Sequence, residues 1–397
     1  MNIVIFSYPE FFGEKKLPAF ASIPRFTNML ANGMMAKGHN VVIWSPIPQL
    51  FNLPVYGRLK KWLGYIDQYI LFPKQVQKQL KSCNKDTLFV FTDHAQGLWV
   101  NLVSDRNHVI HCHDFLAQNS ALGKIKENPI SWSGRFYQRI IRNGYLRGKH
   151  FISVSEETKT ELHKFLKSPP LSSNVVYNGI NIFRSKYDCE SARIHLEKEI
   201  CLNLKSGYIL HVGGNQWYKN RLGVIEIYNS WRNLFNVNLP LLLIGDALSE
   251  DLNKVFEKSP YKDDIYAISG LEDAIVHLAY LGASVFLFPS LNEGFGWPIA
   301  EAMVNGCLVI TTNEAPMTTV AGHAGFFIDR RPVNSLEVET WANNSAEVVN
   351  KVILLTNSER DAAVKLGFEN VKKFDLTMTL DTIEKIYKTI VSTKSNS

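Results

Sequence analysis

Short apolar runs alternate with segments of helical periodicity along the chain. Residues 3–6 are uniformly apolar and predict a buried strand, and Phe26, Leu30 and Met34 recur at helical spacing within residues 25–37. Further strands are predicted at residues 41–44, 88–92, 109–111, 151–154, 175–177, 208–212, 241–244, 265–268, 285–288 and 308–311. Strands that alternate with helices indicate parallel sheets with crossover helices. Two such sets in succession predict two doubly wound α/β domains.

A stretch rich in proline and serine separates the two sets. Residues 168–173 read Ser-Pro-Pro-Leu-Ser-Ser, and Asn178-Gly179 supplies a turn soon afterwards. We therefore predict a first domain over residues 1–182, a hinge near residue 183 and a second domain over residues 183–375. Apolar residues at helical spacing predict a closing helix within residues 376–397, which is expected to pack back on the first domain.

Composition excludes several classes of protein. With 46% hydrophobic and 20% charged residues among 397, the chain is typical of a folded globular protein and too apolar for disorder. Five scattered cysteines without a CxxC pair exclude a disulfide scaffold and predict reduced thiols in a cytoplasmic protein. The N-terminal residues do not resemble an export signal, and no apolar run is long enough to span a bilayer.

Charge is unevenly distributed along the chain. Residues 1–180 contain 22 Lys and Arg against 11 Asp and Glu, a net charge of +11, whereas the remainder has a net charge of −5. A basic first domain indicates an anionic partner, and nucleic acid, anionic lipid or a phosphate-bearing acceptor would each satisfy this observation.

A basic amphipathic segment lies within the first domain. Over residues 57–81, apolar side chains such as Leu59, Trp62 and Ile66 recur at helical spacing, with Lys60 and Lys61 beside them. This pattern is typical of a helix that lies on an anionic membrane surface. A helix packed on the first domain with a solvated basic face fits the apolar spacing slightly better, and the net charge of +11 keeps peripheral membrane binding open.

Two glycine-containing loops follow predicted strands of the second domain. In the first loop, Gly213, Gly214 and Asn215 are followed by Lys219 and Arg221 at the start of a helix. Glycines let the backbone approach a ligand closely, and helix N-terminal amides together with a lysine favour a phosphate. A tight turn with a solvated lysine is an equally good interpretation of this loop alone.

The second loop is more specific. It runs from Glu293 through Phe295 and Gly296 to Pro298, the expected first helical residue, so free backbone amides lie at the helix start. Glu301 is expected in the first turn. Because a carboxylate repels a diphosphate, both glutamates better suit hydrogen bonds from sugar hydroxyls, and interaction with the helix dipole is the alternative.

At these residues the sequence resembles a known family. Seven residues separate Glu293 from Glu301 in "PSLNEGFGWPIAEAM", and this spacing resembles the signature of family 4 glycosyltransferases, retaining enzymes of the GT-B fold. Segments that agree in order are "MAKGHNVVIW", "ISVSEETKTEL", "NVVYNGIN", "HVGGNQWYKN" and "ISGLEDAIVHLAYLGASVFLFPS". The resemblance covers residues 1 to about 375. It implies two Rossmann-like domains that face each other across a cleft holding the site.

The resemblance also implies a role for individual residues. Lys219 matches the lysine that stabilises the departing diphosphate, Glu293 the carboxylate that holds hydroxyls of the transferred sugar, and His113 a histidine near that sugar. Glu301 matches the residue that binds the nucleotide ribose. The other expected donor contacts are Gly213, Gly214, Asn215 and Arg221 at the diphosphate, Phe295 and Gly296 through backbone amides, and Leu271 near the base.

Three departures from the family pattern affect these assignments. The family usually has arginine after the first glycine of the diphosphate loop, where this chain has Gly214, so Asn215 or Arg221 would have to replace it. The segment "FFGEKKLPAFASIPRF" stands in place of a glycine-glycine loop, which implies a different acceptor side. Residues 317–320 replace a Pro-Glu-Val triplet, so one secondary donor contact is in question.

The resemblance implies a metal-independent hexosyltransferase without cofactors. It would transfer a sugar from a nucleotide-sugar to a glycan or lipid-linked acceptor, in cell-surface polysaccharide or glycoconjugate synthesis. An epimerase of the same fold and a nucleotide-sugar-binding protein with weak catalysis are the alternatives. Nucleic-acid binding would explain only the charge. A metal site at residues 111–114 is disfavoured, because a strand directs Cys112 away from His111 and His113.

Overall fold

The computed structural model describes residues 1–9, 11, 22–182 and 185–393. The chain forms two compact units: the first comprises residues 1–177 and the segment that begins at Thr377, and the second comprises residues 178–376. The hinge predicted near residue 183 falls at residues 183–184, outside the described residues. Most of the segment expected to shape the acceptor side, residues 12–21, lies outside them as well.

The first unit is built on a six-stranded parallel sheet. Its strands are β1 (Asn2–Phe6), β2 (Asn40–Trp44), β3 (Leu88–Phe91), β4 (Asn107–Cys112), β5 (His150–Ser153) and β6 (Ser172–Val175). They are arranged in the order β2-β1-β3-β4-β5-β6. The helices are α1 (Ser22–Ala36), α2 (Gly57–Ile66), α3 (Phe72–Leu80), α4 (Gly97–Val100), α5 (Leu116–Ala121), α6 (Trp132–Tyr145) and α7 (Glu156–Phe165).

The second unit repeats this architecture. Its strands are β7 (Ile209–Gly213), β8 (Leu241–Gly245), β9 (Ile265–Ile268), β10 (Val285–Phe288), β11 (Val309–Thr312) and β12 (Gly325–Ile328), all parallel, in the order β12-β11-β10-β7-β8-β9. Its helices are α8 (Cys189–Ile200), α9 (Arg221–Leu234), α10 (Glu250–Lys258), α11 (Asp273–Gly282), α12 (Trp297–Val304), α13 (Met317–Ala321), α14 (Ser335–Ile353) and α15 (Asn357–Val371).

The central strands are buried on both faces, as uniformly apolar strands of a parallel sheet require. In the first unit Phe6 stacks on Phe91 with ring centroids 4.5 Å apart and meets Trp44 and Phe72 edge-on. In the second unit Trp231 of α9 is fully buried in the core. Rigid cores of this kind fix the positions of the loops that leave the strands.

A last helix, α16 (Leu376–Thr393), packs against the first unit. Its Tyr387 Oη lies 2.7 Å from Nε2 of His111 on β4, and its Glu384 Oε1 lies 2.7 Å from Nε2 of His39. Leu380, Ile383 and Ile390 are buried on the same helix. Its apolar periodicity is therefore explained by this contact.

The structure differs from the predicted elements at three places. The strand predicted at residues 175–177 is β6, three residues earlier, and β12 was not predicted. Both are edge strands, whose partial exposure blurs the apolar signal. The amphipathic segment 57–81 is α2 and α3 joined through a π-helical turn at Asp67–Leu71. No helix among the described residues combines the length and apolar character that crossing a membrane requires.

Candidate active site

The order of strands in the second sheet defines where a ligand is expected. From β7 the chain continues to β8 and β9 on one side and then returns to β10, β11 and β12 on the other. The loops after β7 and β10 therefore diverge, and open α/β sheets bind their ligands at the carboxyl ends of such strands. Lys219 follows β7 and Glu293 follows β10, so both candidate residues lie at this switch point.

Lys219 and Glu293 are in direct contact. Lys219 Nζ lies 2.8 Å from Glu293 Oε1, and only 14% and 8% of the two side chains are exposed. Ser290 Oγ donates to the same carboxylate oxygen over 2.8 Å. The ammonium group also lies 5.1 Å from the ring centroid of Phe288. A largely buried ion pair thus occupies the switch point.

Hydrogen bonds join the loops that carry this pair. Asn220 has a φ of 52°, a left-handed conformation that asparagine tolerates better than most residues. Its side chain accepts from the backbone of Gly223 at the start of α9 and donates to Pro289 O over 2.9 Å. Leu291 N donates to Tyr218 O over 2.7 Å. These hydrogen bonds hold the loops that carry Lys219 and Glu293 together.

Arg221 is a buried cation beneath the first loop. It is 3% exposed, and its Nη1 donates to Asn215 Oδ1 and Asp246 O over 2.6 and 2.8 Å. Its Nε and Nη2 have no hydrogen-bond partner among the described residues. Burial lowers the pKa of this guanidinium to about 10, although Asp246 opposes the shift, so it stays charged at neutral pH. Two buried nitrogens, which carry three N–H groups, are therefore unpaired among the described residues.

Asn215 has few hydrogen-bond donors left for binding an anion. Its backbone N–H donates to Asp246 Oδ2 over 3.0 Å and its side chain donates to Ala247 O over 2.6 Å. A Cβ at the neighbouring Gly214 would lie 2.5 Å from Asp246 Oδ2, so a side chain there would require the Asp246 carboxylate to move. Of the two candidates for the missing arginine, Arg221 has free donors and positive charge.

His211 is buried on β7, two residues before Gly213. Its Nδ1 lies 2.9 Å from Leu287 O, and burial, with the nearby positive charges of Arg221 and Lys219, lowers the pKa of this imidazole to about 3. The neutral ring therefore donates from Nδ1. A Cβ at Gly213 would lie 3.1 Å from His211 Nε2, so glycine preserves the space above the ring.

The second loop ends in α12, whose start corrects the sequence prediction. Gly296, with a φ of 101°, is the residue before the helix, so Trp297 is its first residue and Pro298 its second. Glu301 is the fifth residue of the helix, just beyond the first turn and one residue further along than predicted, and its Oε2 accepts from Tyr280 Oη over 3.4 Å. The backbone geometry that only glycine adopts easily decides where this helix begins.

The remaining donor candidates lie at the same end of the sheet. Phe295 is buried and its ring meets that of Phe374 edge-on, 5.1 Å away. Leu271 is partly buried in the loop after β9, two strands from β7. The structure thus brings Lys219 and Glu293 into contact and places Leu271 at the edge strand.

His113 belongs to the first unit and follows β4. Its Nε2 lies 3.0 Å from Thr92 O, and the Phe26 ring meets it edge-on at 4.6 Å. Burial lowers the pKa of His113, although the carboxylates of Asp93 and Asp114 oppose the shift. The imidazole of His113 is therefore neutral and donates a hydrogen bond from Nε2 to Thr92 O.

The first sheet has its own switch point, between β1 and β3, and polar residues follow both strands. Tyr8 Oη donates to Asp93 Oδ2 over 3.1 Å, and His94 Nδ1 lies 2.8 Å from Asp93 Oδ1. Burial favours a neutral Asp93, but the charge and hydrogen bond of His94 outweigh it and lower the pKa of this carboxyl to about 2. The described residues include no group of three metal-ligating side chains.

Comparison with known families decides what these two units are. The model described as Glycosyltransferase Family 4 matches residues 23–184, and that described as Glycosyl transferases group 1 matches residues 194–357. Together they cover most of both units. The chain belongs to glycosyltransferase family 4.

Individual relatives of this glycosyltransferase are distant. It is 25% identical over 249 residues to the O-antigen chain mannosyltransferase B of Escherichia coli, a match that spans 60% of either chain. It is 24% identical to the O-antigen chain mannosyltransferase RfbU of Salmonella typhimurium, covering 69% of this chain and 68% of that one.

A solved structure agrees on the fold. Anabaena Alr3699/HepE, in complex with UDP and glucose, superposes with a TM-score of 0.68 at 14% identity, covering 98% of this chain and 99% of that one. The predicted family and the GT-B fold of the glycosyltransferase are confirmed.

Sequence reasoning missed Tyr8, Asp93 and His94 of this glycosyltransferase. Their positions in the sequence could have indicated them. Asp93 and His94 directly follow the predicted strand at residues 88–92, and Tyr8 follows the predicted strand at residues 3–6. Polar residues immediately after two buried strands indicate the carboxyl edge of the sheet. That β1 and β3 are neighbours, however, is known only from the structure.

Proposed function

We propose that this glycosyltransferase moves a hexose from a nucleoside-diphosphate sugar to an acceptor hydroxyl in polysaccharide or glycoconjugate synthesis. The observation that carries the proposal is the Lys219–Glu293 pair at the switch point of the second sheet, with the charged N–H donors of Arg221 close by. The O-antigen mannosyltransferase relatives and the UDP and glucose bound to HepE support it.

Each residue of the second unit would have a distinct task. Lys219 and Arg221 would bind the diphosphate through positive charge, and the amides at Phe295 and Gly296 would add donors. Glu293 would accept hydrogen bonds from hydroxyls of the transferred sugar, and Glu301 from those of the ribose. Donor binding then exchanges part of the Lys219–Glu293 contact for contacts to the diphosphate and the sugar.

The transfer step needs no protein nucleophile. The acceptor oxygen forms a bond to the anomeric carbon on the face from which the diphosphate oxygen departs, and the configuration is retained. The acceptor proton passes to the leaving diphosphate oxygen. Lys219 and Arg221 stabilise the negative charge that develops on this oxygen, which is the main catalytic contribution of such preorganised groups. Tyr8 and Asp93 of the first unit would orient the acceptor, and His113 would contact the transferred sugar.

The alternatives fit less well. The named relatives and both family models are glycosyltransferases, which favours transfer to an acceptor over epimerisation of the donor. A protein that only binds nucleotide-sugars would not need a lysine held beside a buried carboxylate. In the proposed transfer, Lys219 would stabilise the negative charge that develops on the leaving diphosphate.

Nucleoside diphosphates are expected to stabilise the protein against thermal unfolding. Because binding adds RT ln(1 + [L]/Kd), a ligand at 100 times its Kd contributes about 2.7 kcal/mol and raises Tm by several degrees. Differential scanning fluorimetry with UDP, GDP, ADP, CDP and dTDP would identify the base. The matching monophosphate and nucleoside serve as controls and should stabilise less. If no diphosphate raises Tm, the proposed function fails.

The first unit would bind to an anionic membrane through α2 and α3. Lys61 and Lys74 are exposed, Lys60 lies beside them, and Trp62 is 65% exposed between them. Aromatic and basic side chains on one helix suit the interface of an anionic bilayer. Anionic lipids are concentrated in the cytoplasmic leaflet, so we place the protein on that face.

Reversing three of these charges should weaken membrane binding. Each basic residue near an anionic surface contributes about 1 kcal/mol, so Lys60→Glu, Lys61→Glu and Lys74→Glu together should reduce cosedimentation with phosphatidylserine vesicles by at least about tenfold. The effect should be larger at low salt. The same change at the exposed Lys258, Lys351 and Lys365 of the second unit is the control. If the wild-type protein does not cosediment with vesicles even at low salt, the proposal of membrane binding is wrong.

A further inference from the structure

An apolar groove opens between α3 and α6 of the first unit. Its volume is about 290 Å³, and it is lined by Tyr69, Pro73, Leu98, Trp99, Tyr137 and Ile140. The polar atoms of this lining are already paired: the hydroxyls of Tyr69 and Tyr137 lie 2.7 Å apart, and Trp99 Nε1 donates to Gln68 O. The groove therefore suits hydrocarbon better than a polar ligand.

Aromatic rings on α2 and α6 adjoin the tyrosines that line the groove. Neighbouring rings are in contact from Trp62 to Tyr65, from Tyr65 to Tyr69 and from Tyr69 to Tyr137, with centroids 5.7–6.1 Å apart. On α6, Trp132 stacks on Phe136, and they are 80% and 54% exposed. We call the side chains Trp62, Tyr65, Trp132 and Phe136 the aromatic rim. The aromatic rim comes from α2 and α6, which are far apart in sequence. The amphipathic pattern of residues 57–81 therefore indicated only its α2 side chains.

The surroundings of the groove are positively charged. Residues 57–81 contain six Lys and Arg and one acidic residue, Asp67. That carboxylate is buried and accepts from the backbone N–H groups of residues 49–51. Helix α6 adds Arg135, Arg139 and Arg142 without any acidic residue. An apolar groove bordered by basic and aromatic side chains is complementary to an anionic amphiphile.

One residue of the groove lining lies near a polar residue of the first switch point. Tyr137 lines the groove and lies close enough to Tyr8 to contribute, after burial and Asp93, to the raised pKa of the Tyr8 hydroxyl. Tyr8 in turn donates to Asp93. One tyrosine therefore links the apolar groove to the polar residues proposed to orient the acceptor.

We propose that the groove binds the hydrocarbon chain of a lipid-linked acceptor whose anionic group lies among the basic residues of α2, α3 and α6. The hydroxyl that receives the sugar is then directed toward Tyr8 and Asp93. This inference rests on the proposed transfer function and narrows its acceptor to an amphiphile. The aromatic rim would sit in the membrane interface while the chain passes from the bilayer into the groove.

The test is photolabelling of the full-length protein with dodecyl phosphate that carries a diazirine at the chain end. Peptides containing residues 69–73, 98–99 or 137–140 should carry most of the label. Unlabelled dodecyl phosphate should compete, whereas butyl phosphate, which has the same headgroup and too short a chain, should not. Ile140→Trp fills the groove and should reduce labelling of these peptides at least fivefold.

Two further variants separate loss of the groove from loss of folding. Ile140 is 39% exposed, so Ile140→Gln is tolerated at the surface and should also reduce labelling by making the groove polar. Leu336→Trp, at an 87% exposed position of the second unit, is the matched control and should label like the wild type. Circular dichroism checks folding of each variant.

Three outcomes would overturn the inference. They are label spread evenly over the surface, equal competition by butyl phosphate, and labelling unchanged in both Ile140 variants. The nucleoside diphosphate shift in Tm is measured on the same samples and depends on the second unit. If that shift persists while groove labelling fails, the transfer function stands and the acceptor is a glycan without a lipid chain.

Discussion

Lys219→Ala is expected to lower kcat by about 100- to 1,000-fold while the Kd of the nucleoside diphosphate changes only a few-fold. The magnitude is that of removing one preorganised group from a developing negative charge. The charge on the leaving oxygen is largest in the transition state, so the loss falls on kcat rather than on binding. Steady-state kinetics combined with calorimetry of the diphosphate would measure both. Unchanged kcat would remove Lys219 from the mechanism.

The contact with Glu293 gives this experiment a sharper control. Removing the lysine alone leaves a buried carboxylate without its partner, which can cost up to about 3 kcal/mol of stability. The double variant Lys219→Met with Glu293→Gln removes both charges and should recover most of the lost stability. Its kcat should stay low. Recovery of activity together with stability would mean that Lys219→Ala acts through folding, contrary to the proposed role.

Glu301→Ala is expected to weaken binding of the bare nucleoside diphosphate by about tenfold, the loss of one or two hydrogen bonds to a carboxylate. Glu293→Ala should not weaken that affinity, because the sugar that Glu293 holds is absent from this ligand and Lys219 keeps its charge for the diphosphate. The affinity for the intact nucleotide-sugar should instead fall about tenfold in Glu293→Ala. Isothermal titration calorimetry of both ligands against both variants measures the four constants.

The structure provides a control for each carboxylate. Glu293→Gln keeps an acceptor for sugar hydroxyls but gives up the charge that pairs with Lys219, so it should lose less donor affinity than Glu293→Ala. Tyr280→Phe removes the hydroxyl that donates to Glu301 and should have a smaller effect than Glu301→Ala. Equal losses for both ligands in both alanine variants would contradict the assignment of ribose to Glu301 and sugar to Glu293.

Most of the fold was predictable because buried parallel strands are uniformly apolar. β10, for example, is Val-Phe-Leu-Phe and is buried at every position. β12 escaped prediction because an edge strand is covered on one side only, and Phe326 and Phe327 remain partly exposed. The π-helical turn at Asp67–Leu71 was also unpredictable, since apolar spacing does not reveal that Asp67 caps the backbone of residues 49–51.

The residues of the candidate site could be predicted from the sequence, but the contacts between them could not. The spacing of Glu293 and Glu301 indicated both, yet the contact of Lys219 with Glu293 arises because β10 lies beside β7, a pairing across more than 70 residues. The Tyr8–Asp93 hydrogen bond depends in the same way on β1 lying beside β3. Strand order is a property of the whole sheet, and local sequence does not contain it.

Helix α16 has a consequence for the order of events during synthesis. Its buried side chains Leu380, Ile383 and Tyr387 complete the first unit, and Tyr387 is the partner of the buried His111. The ribosome makes this helix only after all residues of the second unit. The first unit therefore waits, partly uncovered, until the second has been translated and has had time to fold, which reverses the usual order in which an N-terminal domain matures first.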